Sequence, residues 1–208
     1  MIKGFFKKRY FLPPFLVLAT NLTVSFLTRP FIDAAATCLV TTVDRKIPFV
    51  PEFIYIYVFA FVQWLICILA VMIKDKEKSF YYCGGIIFGN LMSGIVFLVF
   101  PTIMSIRPEY TGGGLTGEIV RFIFAADTPP MNIFPSIHCL FSWGCMRMIC
   151  ALGSVPKALK VFNAVFSVLV FLSVLFVKQH VVYDIPAGIF AFEAGLFLTR
   201  KLFLRVKV

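Results

Sequence analysis

The sequence predicts an all-α, polytopic integral membrane protein, a six-transmembrane-helix bundle built as a single domain over residues 1–208. Three observations carry that expectation. Hydrophobic residues make up 60% of the chain and charged residues 14%, whereas soluble domains carry about 25% charge. The mean hydropathy is +0.93. Apolar runs recur at 10–28, 53–73, 80–101, 134–152, 158–177 and 181–199, each close to the ~20 residues that a spanning helix uses. Little chain is left for a soluble domain. A disordered tail, a nucleic-acid-binding module and a disulfide scaffold are thereby excluded, although the formal net charge is +10. Topology must account for that charge.

The first run follows Lys3, Lys7, Lys8 and Arg9 and is not followed by a small-residue cleavage site, so it reads as a retained anchor. Pro13 and Pro14 suit the first turn of its helix or a kink. Lys74, Lys76 and Lys78 separate the second run from the third, Lys157 and Lys160 flank the fourth and fifth, and a basic tail follows the sixth. With both termini in the cytoplasm, fourteen of the 20 Lys and Arg residues fall inside and six outside, the bias expected of cytoplasmic loops. The two longest connections, 29–52 and 102–133, then lie outside, and long loops gathered on one face are where function tends to sit. The stretch 110–114, Tyr-Thr-Gly-Gly-Gly, is either a linker or the hinge of a lid. Cys67, Cys83, Cys139, Cys145 and Cys150 lie in or at the ends of apolar runs and are expected to be small core residues, with Cys38 in an exposed loop.

Two histidines occur, and both stand at the outer ends of predicted spans. His138 closes the segment Pro135-Ser136-Ile137-His138 at the start of the fourth, and His180 follows Lys178 and Gln179 before the sixth. Arg107, after the third, lies on the same side. Ionisable groups in such positions are functional candidates. His180 and Asp184 are spaced i, i+4, so the carboxylate can hold one ring N–H and leave the other nitrogen free as a nucleophile or metal ligand. The free N–H groups of a helix that begins at Pro135 and Ser136 suit an anion, phosphate above all. Arg107 can clamp phosphate oxygens, and Ser136 and Lys178 can add a hydroxyl and a positive charge.

In that order and on one face, Arg107-Pro108, Pro135-Ser136-Ile137-His138, and Ser173 with His180 and Asp184 resemble the three signature motifs of the type-2 phosphatidic acid phosphatase superfamily. The resemblance covers residues 100–188 by motif. It implies an integral membrane lipid phosphatase or phosphotransferase, with a phosphohistidine intermediate on His180, His138 as acid and base, Asp184 as the orienting carboxylate, and no cofactor or metal requirement. Two positions depart from the family's pattern. Phe100 stands where a lysine precedes the arginine of the first motif, and Val174 where an arginine follows the serine of the third. The weakened clamp resembles the branch that contains sphingolipid and inositol-lipid headgroup transferases.

The expected function is therefore hydrolysis of a lipid phosphate ester or diphosphate at the extracytoplasmic face of the plasma membrane. Transfer of a lipid headgroup to an alcohol is the alternative, and a catalytically inert transport or assembly protein stands further off. The expected partners are a lipid phosphate and the bilayer, with no nucleic acid; the sequence does not set the oligomeric state. A zinc site from His138, His180 and Asp184 is disfavoured by its cationic surroundings. Arg147 and Glu193 lie nine residues beyond His138 and Asp184, about 14 Å below the catalytic layer at the helical rise, and are expected to pair between the fourth and sixth spans.

Overall fold

The computed structural model describes residues 12–28 and 36–203. The basic N-terminal segment, the loop residues 29–35 and the end of the tail, whose charges enter the expected orientation, lie outside the described residues. Helices account for nearly all regular structure: α1 (Leu12–Leu27), α2 (Thr42–Lys46), α3 (Ile54–Lys74) after a 3-10 turn at Pro51–Phe53, α4 (Lys76–Val99), α5 (Gly114–Ala126), α6 (Ile137–Ala151), α7 (Lys157–Phe176) and α8 (Asp184–Phe203). A helix thus covers each of the six predicted apolar runs, within a few residues of its limits.

Three helical segments among the described residues are long and apolar enough to cross a membrane: Pro51–Lys74, Lys76–Val99 and Lys157–Phe176, of 24, 24 and 20 residues. The other expected spans are helical but fall short by composition or length. The apolar part of α1 is confined to Phe15–Val24, α6 has 15 residues, and α8 carries Asp184, Glu193, Arg200 and Lys201. Large apolar side chains such as Phe59, Ile66, Ile95, Phe162 and Phe197 project from the outer faces of the bundle, in keeping with a membrane environment.

Helix α6 occupies the centre, packed against α3, α4, α7 and α8. Leu140, Met148, Ile86, Phe97 and Phe192 are fully buried around it. Within this apolar core, α3 and α7 are joined by polar contacts: Gln63 Nε2 donates to Asn163 Oδ1 at 2.9 Å and to Ser167 Oγ at 2.9 Å. Trp64 Nε1 donates to Ser142 Oγ of α6 at 3.0 Å. Such bonds hold helices together where the surrounding lipid gives apolar faces no reason to associate. Helices α4 and α8 approach so closely that a Cβ on Gly195 would strike the Gly85 carbonyl oxygen. Gly188 meets the Ser136 carbonyl oxygen in the same way, which draws the start of α8 onto the start of α6.

The expected ion pair is present. Arg147 Nη1 of α6 lies 3.3 Å from Glu193 Oε1 of α8, and Trp143 Nε1 donates to that same oxygen at 2.7 Å. Cys67, Cys83, Cys139 and Cys145 are buried as expected. Cys150 is exposed, because it lies on the outer side of the last turn of α6.

At the end of the bundle where the histidines lie, the connections are laced together. Strands β1 (Thr37–Cys38) and β2 (Thr102–Ile103) pair in parallel, and Ile103 also bridges to Met131. Buried Thr102 accepts from Asn132 N at 3.1 Å through its carbonyl and from Phe134 N at 3.1 Å through its hydroxyl. The connection 102–133 is also not an open loop, because α5 forms within it, starting at the last of the three glycines.

The contact at Gly195 leaves no room for a side chain. Gly195→Val is expected to force α4 and α8 apart and to cost about 3 kcal/mol, read as a lower midpoint of thermal unfolding in detergent. Ala at the exposed position Gly153, where a Cβ meets nothing within 4 Å, is the matched control and should leave the midpoint near that of the wild type.

Candidate functional site

The chain turns between α7 and α8 through residues 177–183. Gln179 N and His180 N both donate to the Val174 carbonyl at 3.0 and 3.1 Å, and Lys178 at the apex has φ +54°. Asp184 then opens α8, with Oδ2 accepting from Val181 N at 2.9 Å and from His180 Nδ1 at 3.0 Å. His180 Nδ1 also lies 2.8 Å from the Ile133 carbonyl oxygen. A carbonyl can only accept, so Nδ1 carries the hydrogen and the lone pair resides on Nε2. The tautomer follows from a backbone atom and a carboxylate acting together.

His138 is the second residue of α6, two residues beyond the Ser136 N-cap, whose Oγ accepts from Cys139 N at 3.2 Å. Its ring stacks on Tyr57 with centroids 4.2 Å apart and an interplanar angle of 25°. Phe61 and Trp64 flank the same ring, with centroids at 5.5 and 5.1 Å. These aromatics follow one another at i, i+4 and i+7 on one face of α3. The His138 and His180 rings face each other with centroids 6.0 Å apart, and His138 Nε2 is buried without a partner. Between them lies a cavity of about 190 Å³ lined by Tyr57, Trp64, His138, Gln179, His180 and Asp127, among others.

Arg107 reaches this cavity through two of its lining residues. Nη1 donates to the Asp127 carbonyl at 2.9 Å, while Nη2 donates to Asp127 Oδ2 at 2.6 Å and to Gln179 Oε1 at 2.9 Å. The guanidinium also covers the Phe124 ring at 4.8 Å, so the C-terminal end of α5 is held against it.

Two of the expected phosphate ligands are placed elsewhere. Lys178 is buried, and its Nζ donates to the carbonyls of Asp44, at 2.8 Å, and of Ile47. The positive φ at Lys178 turns the side chain toward α2, where it lines a separate groove. Burial lowers the pKa of this ammonium, an effect that the Asp44 carboxylate partly opposes. Ser136 is fully buried as the N-cap of α6 and does not line the cavity, although its N–H donates to the Asp184 carbonyl at 3.2 Å. Ser173, the first residue of the third motif, spends its hydroxyl on the Val170 carbonyl at 2.8 Å. Among the described residues no three His, Cys, Asp or Glu side chains group as metal ligands would.

Sequence reasoning missed Asp44. It is 2% exposed and forms a capping box with Thr41, whose N and Oγ1 donate to Oδ2 at 2.8 and 2.6 Å. Its Oδ1 accepts from Val182 N at 2.8 Å. The short helix α2 thereby fixes both ends of the turn that holds His180. The signature Thr-x-x-Asp was visible in the chain as a helix start, but nothing local connected it to residue 182. Gln179, Asp127, Asn21 and Asn132 also line the cavity without having been singled out.

Comparison of the chain with protein-family models, with curated proteins and with solved structures returns no match. The geometry alone therefore bears on what the site does.

Asp44 supplies the only bond from α2 to the Val182 N–H among those described. Asp44→Ala is expected to cost about 3 kcal/mol of stability by stranding buried donors and to speed acylation of His180 by diethyl pyrocarbonate, measured by peptide mass spectrometry. Unchanged unfolding and unchanged reactivity would show that the turn stands without it.

Proposed function

We propose that this chain is a multi-pass membrane enzyme that transfers the phosphoryl group of a lipid phosphate ester, in the manner of the type-2 phosphatidic acid phosphatases that its motifs resemble. The observation that carries the proposal is the apposition of His180, with Nδ1 held by Asp184 and Nε2 free, and His138 across a cavity to which Arg107 is tied. A nucleophile oriented by a hydrogen-bonded carboxylate, with an acid–base group on the far side of the site, is what covalent catalysis needs.

In the first step His180 Nε2 attacks phosphorus in line, and Asp184 stabilises the positive charge that grows on the ring. His138 gives a proton to the departing lipid oxygen. Arg107 balances the equatorial oxygens, where most of the work of phosphoryl transfer lies. Water, deprotonated by His138, then cleaves the phosphohistidine. On this reading six spans surround a site at headgroup depth, with both termini cytoplasmic and the site open to the extracytoplasmic leaflet of the plasma membrane; the apolar outer faces support the membrane setting, and the fourteen-to-six distribution of basic residues supports the orientation.

A second outcome, transfer to an alcohol in place of water, is favoured by one feature. Asn21 Oδ1 and Asn132 Oδ1 belong to cavity-lining residues and are buried without partners. Hydroxyl groups of an acceptor are the donors they lack. Release of inorganic phosphate from a lipid phosphomonoester, set against formation of a new ester when alcohols are added, separates hydrolysis from transfer.

The two histidines should be separable. His180→Ala is expected to abolish any covalent phosphoenzyme. His138→Ala should still form it from a nitrophenyl ester, whose leaving group needs no proton, while losing about 10²–10⁴-fold with a lipid substrate. Equal loss of labelling in both variants would contradict these roles.

Orientation has its own test. In a cysteine-free background, cysteine at Gly113, around which nothing lies within 4 Å, should react with an impermeant thiol reagent on intact cells, and cysteine at exposed Glu77 only after lysis. The reverse pattern would move the site to the cytoplasmic side.

A further inference from the structure

A phosphoryl group in transfer spreads its charge over the equatorial oxygens, and catalysis lies mostly in the donors and charges that meet them. Of the groups expected to do so, Arg107 is tied to the cavity lining, whereas Lys178 donates to the carbonyls of Asp44 and Ile47, and Ser136 caps α6. Further donors must come from other residues of the wall.

Gln179 is one. It is 3% exposed and lines the cavity next to His180. Arg107 Nη2 donates to its Oε1 at 2.9 Å. A guanidinium can only donate, so the amide oxygen is fixed toward Arg107 and the NH2 group is turned away from it. That nitrogen, Nε2, is buried with no partner among the described residues. Tyr57, the fourth residue of α3, is the other. Its ring stacks on His138 with centroids 4.2 Å apart and lines the same cavity, and its phenol lies within electrostatic reach of Arg107. Tyr57 is 7% exposed, and among the described residues nothing bonds its hydroxyl. Buried phenols and amides normally find partners, because an unmade hydrogen bond away from water is costly. Two unmade bonds on one cavity wall, contributed by α3 and by the turn before α8, call for a ligand rich in acceptors.

We propose that Tyr57 Oη and Gln179 Nε2 are two further catalytic groups, which donate to the non-bridging oxygens of the phosphoryl group, an inference that rests on the phosphoryl-transfer chemistry proposed above. In the first step the N–P bond forms at His180 Nε2 as the P–O bond to the lipid breaks. The bonding pair leaves on the lipid oxygen, which takes its proton from His138. In the second, water attacks phosphorus and gives its proton to His138, and the N–P pair returns to Nε2. Tyr57 and Gln179 gain and lose no proton in either step. They are neutral donors already in place, one set by its stack on His138 and the other by its bond to Arg107, so they need not reorganise as charge develops on the oxygens they meet.

The test uses the full chain in detergent micelles, with orthovanadate as the probe and its Kd read by titration calorimetry. Tyr57→Phe keeps the ring on His138 and removes only the hydroxyl. It should raise the Kd by about tenfold or more, as expected for one hydrogen bond to a charged ligand, and leave the midpoint of thermal unfolding near that of the wild type. Gln179→Met should raise the Kd by a similar factor. Gln179→Glu keeps an acceptor for Arg107 but loses the donor, and should bind vanadate no better than Gln179→Met. With a nitrophenyl phosphate ester, Tyr57→Phe should lower kcat by about 10²-fold and change KM less, the mark of a donor used in the transition state. An unchanged vanadate Kd in Tyr57→Phe overturns the role of the phenol. Wild-type affinity in Gln179→Glu shows that the amide serves Arg107 alone and overturns the role of Nε2. If vanadate binding to the wild type does not depend on His180, the phosphoryl-transfer chemistry itself fails, and the assignment of both donors fails with it.

Discussion

One N–H organises the site. The hydrogen on His180 Nδ1 is shared between the Asp184 carboxylate at 3.0 Å and the Ile133 carbonyl at 2.8 Å. Ile133 precedes α6 and Asp184 opens α8, so this single donor joins the approaches to two helices and fixes the ring that lies between them. The same contact decides the tautomer, and with it which nitrogen is left as a nucleophile. Ser136 N donating to the Asp184 carbonyl and Val181 N donating to the carboxylate close the ring of bonds around it. A low local dielectric strengthens each of these and makes each costly to lose.

Such a contact needs helices that can come together at the right height. Gly188 against the Ser136 carbonyl and Gly195 against the Gly85 carbonyl allow α8 to lie on α6 and α4 with no side chain between. In a lipid solvent, close backbone approach and buried polar bonds replace the hydrophobic drive of a soluble core. The bond of Gln63 to Asn163 does the same for α3 and α7, and that of Trp64 to Ser142 for α3 and α6. The rigid part of the bundle therefore underlies the histidines, while the charged residues that surround the cavity come from the connections.

This division explains what could be read from the chain. Helix positions were legible because apolar runs of the right length have few other uses. The i, i+4 spacing gave away His180 and Asp184, and equal depth along two helices gave away Arg147 and Glu193. Lys178 and Ser136 stand apart from the cavity for a common reason: each is turned from it by a local backbone feature, a left-handed apex and a helix cap, that composition does not reveal. Asp44 and Asp127 act across long stretches of sequence, on Val182 and on Arg107. No periodicity encodes contacts of that kind. Helix α5 escaped notice because three glycines announce a break and conceal the amphipathic helix that starts at the last of them.

The account rests on His180 Nε2 as the atom that bonds to phosphorus, with His138 opposite. Orthovanadate mimics the trigonal-bipyramidal phosphorus of in-line transfer, and a structure of the full chain with vanadate bound addresses that atom directly. The account predicts vanadium bonded to His180 Nε2 inside the cavity, with His138 hydrogen-bonded to the apical oxygen on the far side and Asp184 still on Nδ1. Vanadate seated away from the two histidines, or bound with His180 Nε2 unbonded, would contradict it.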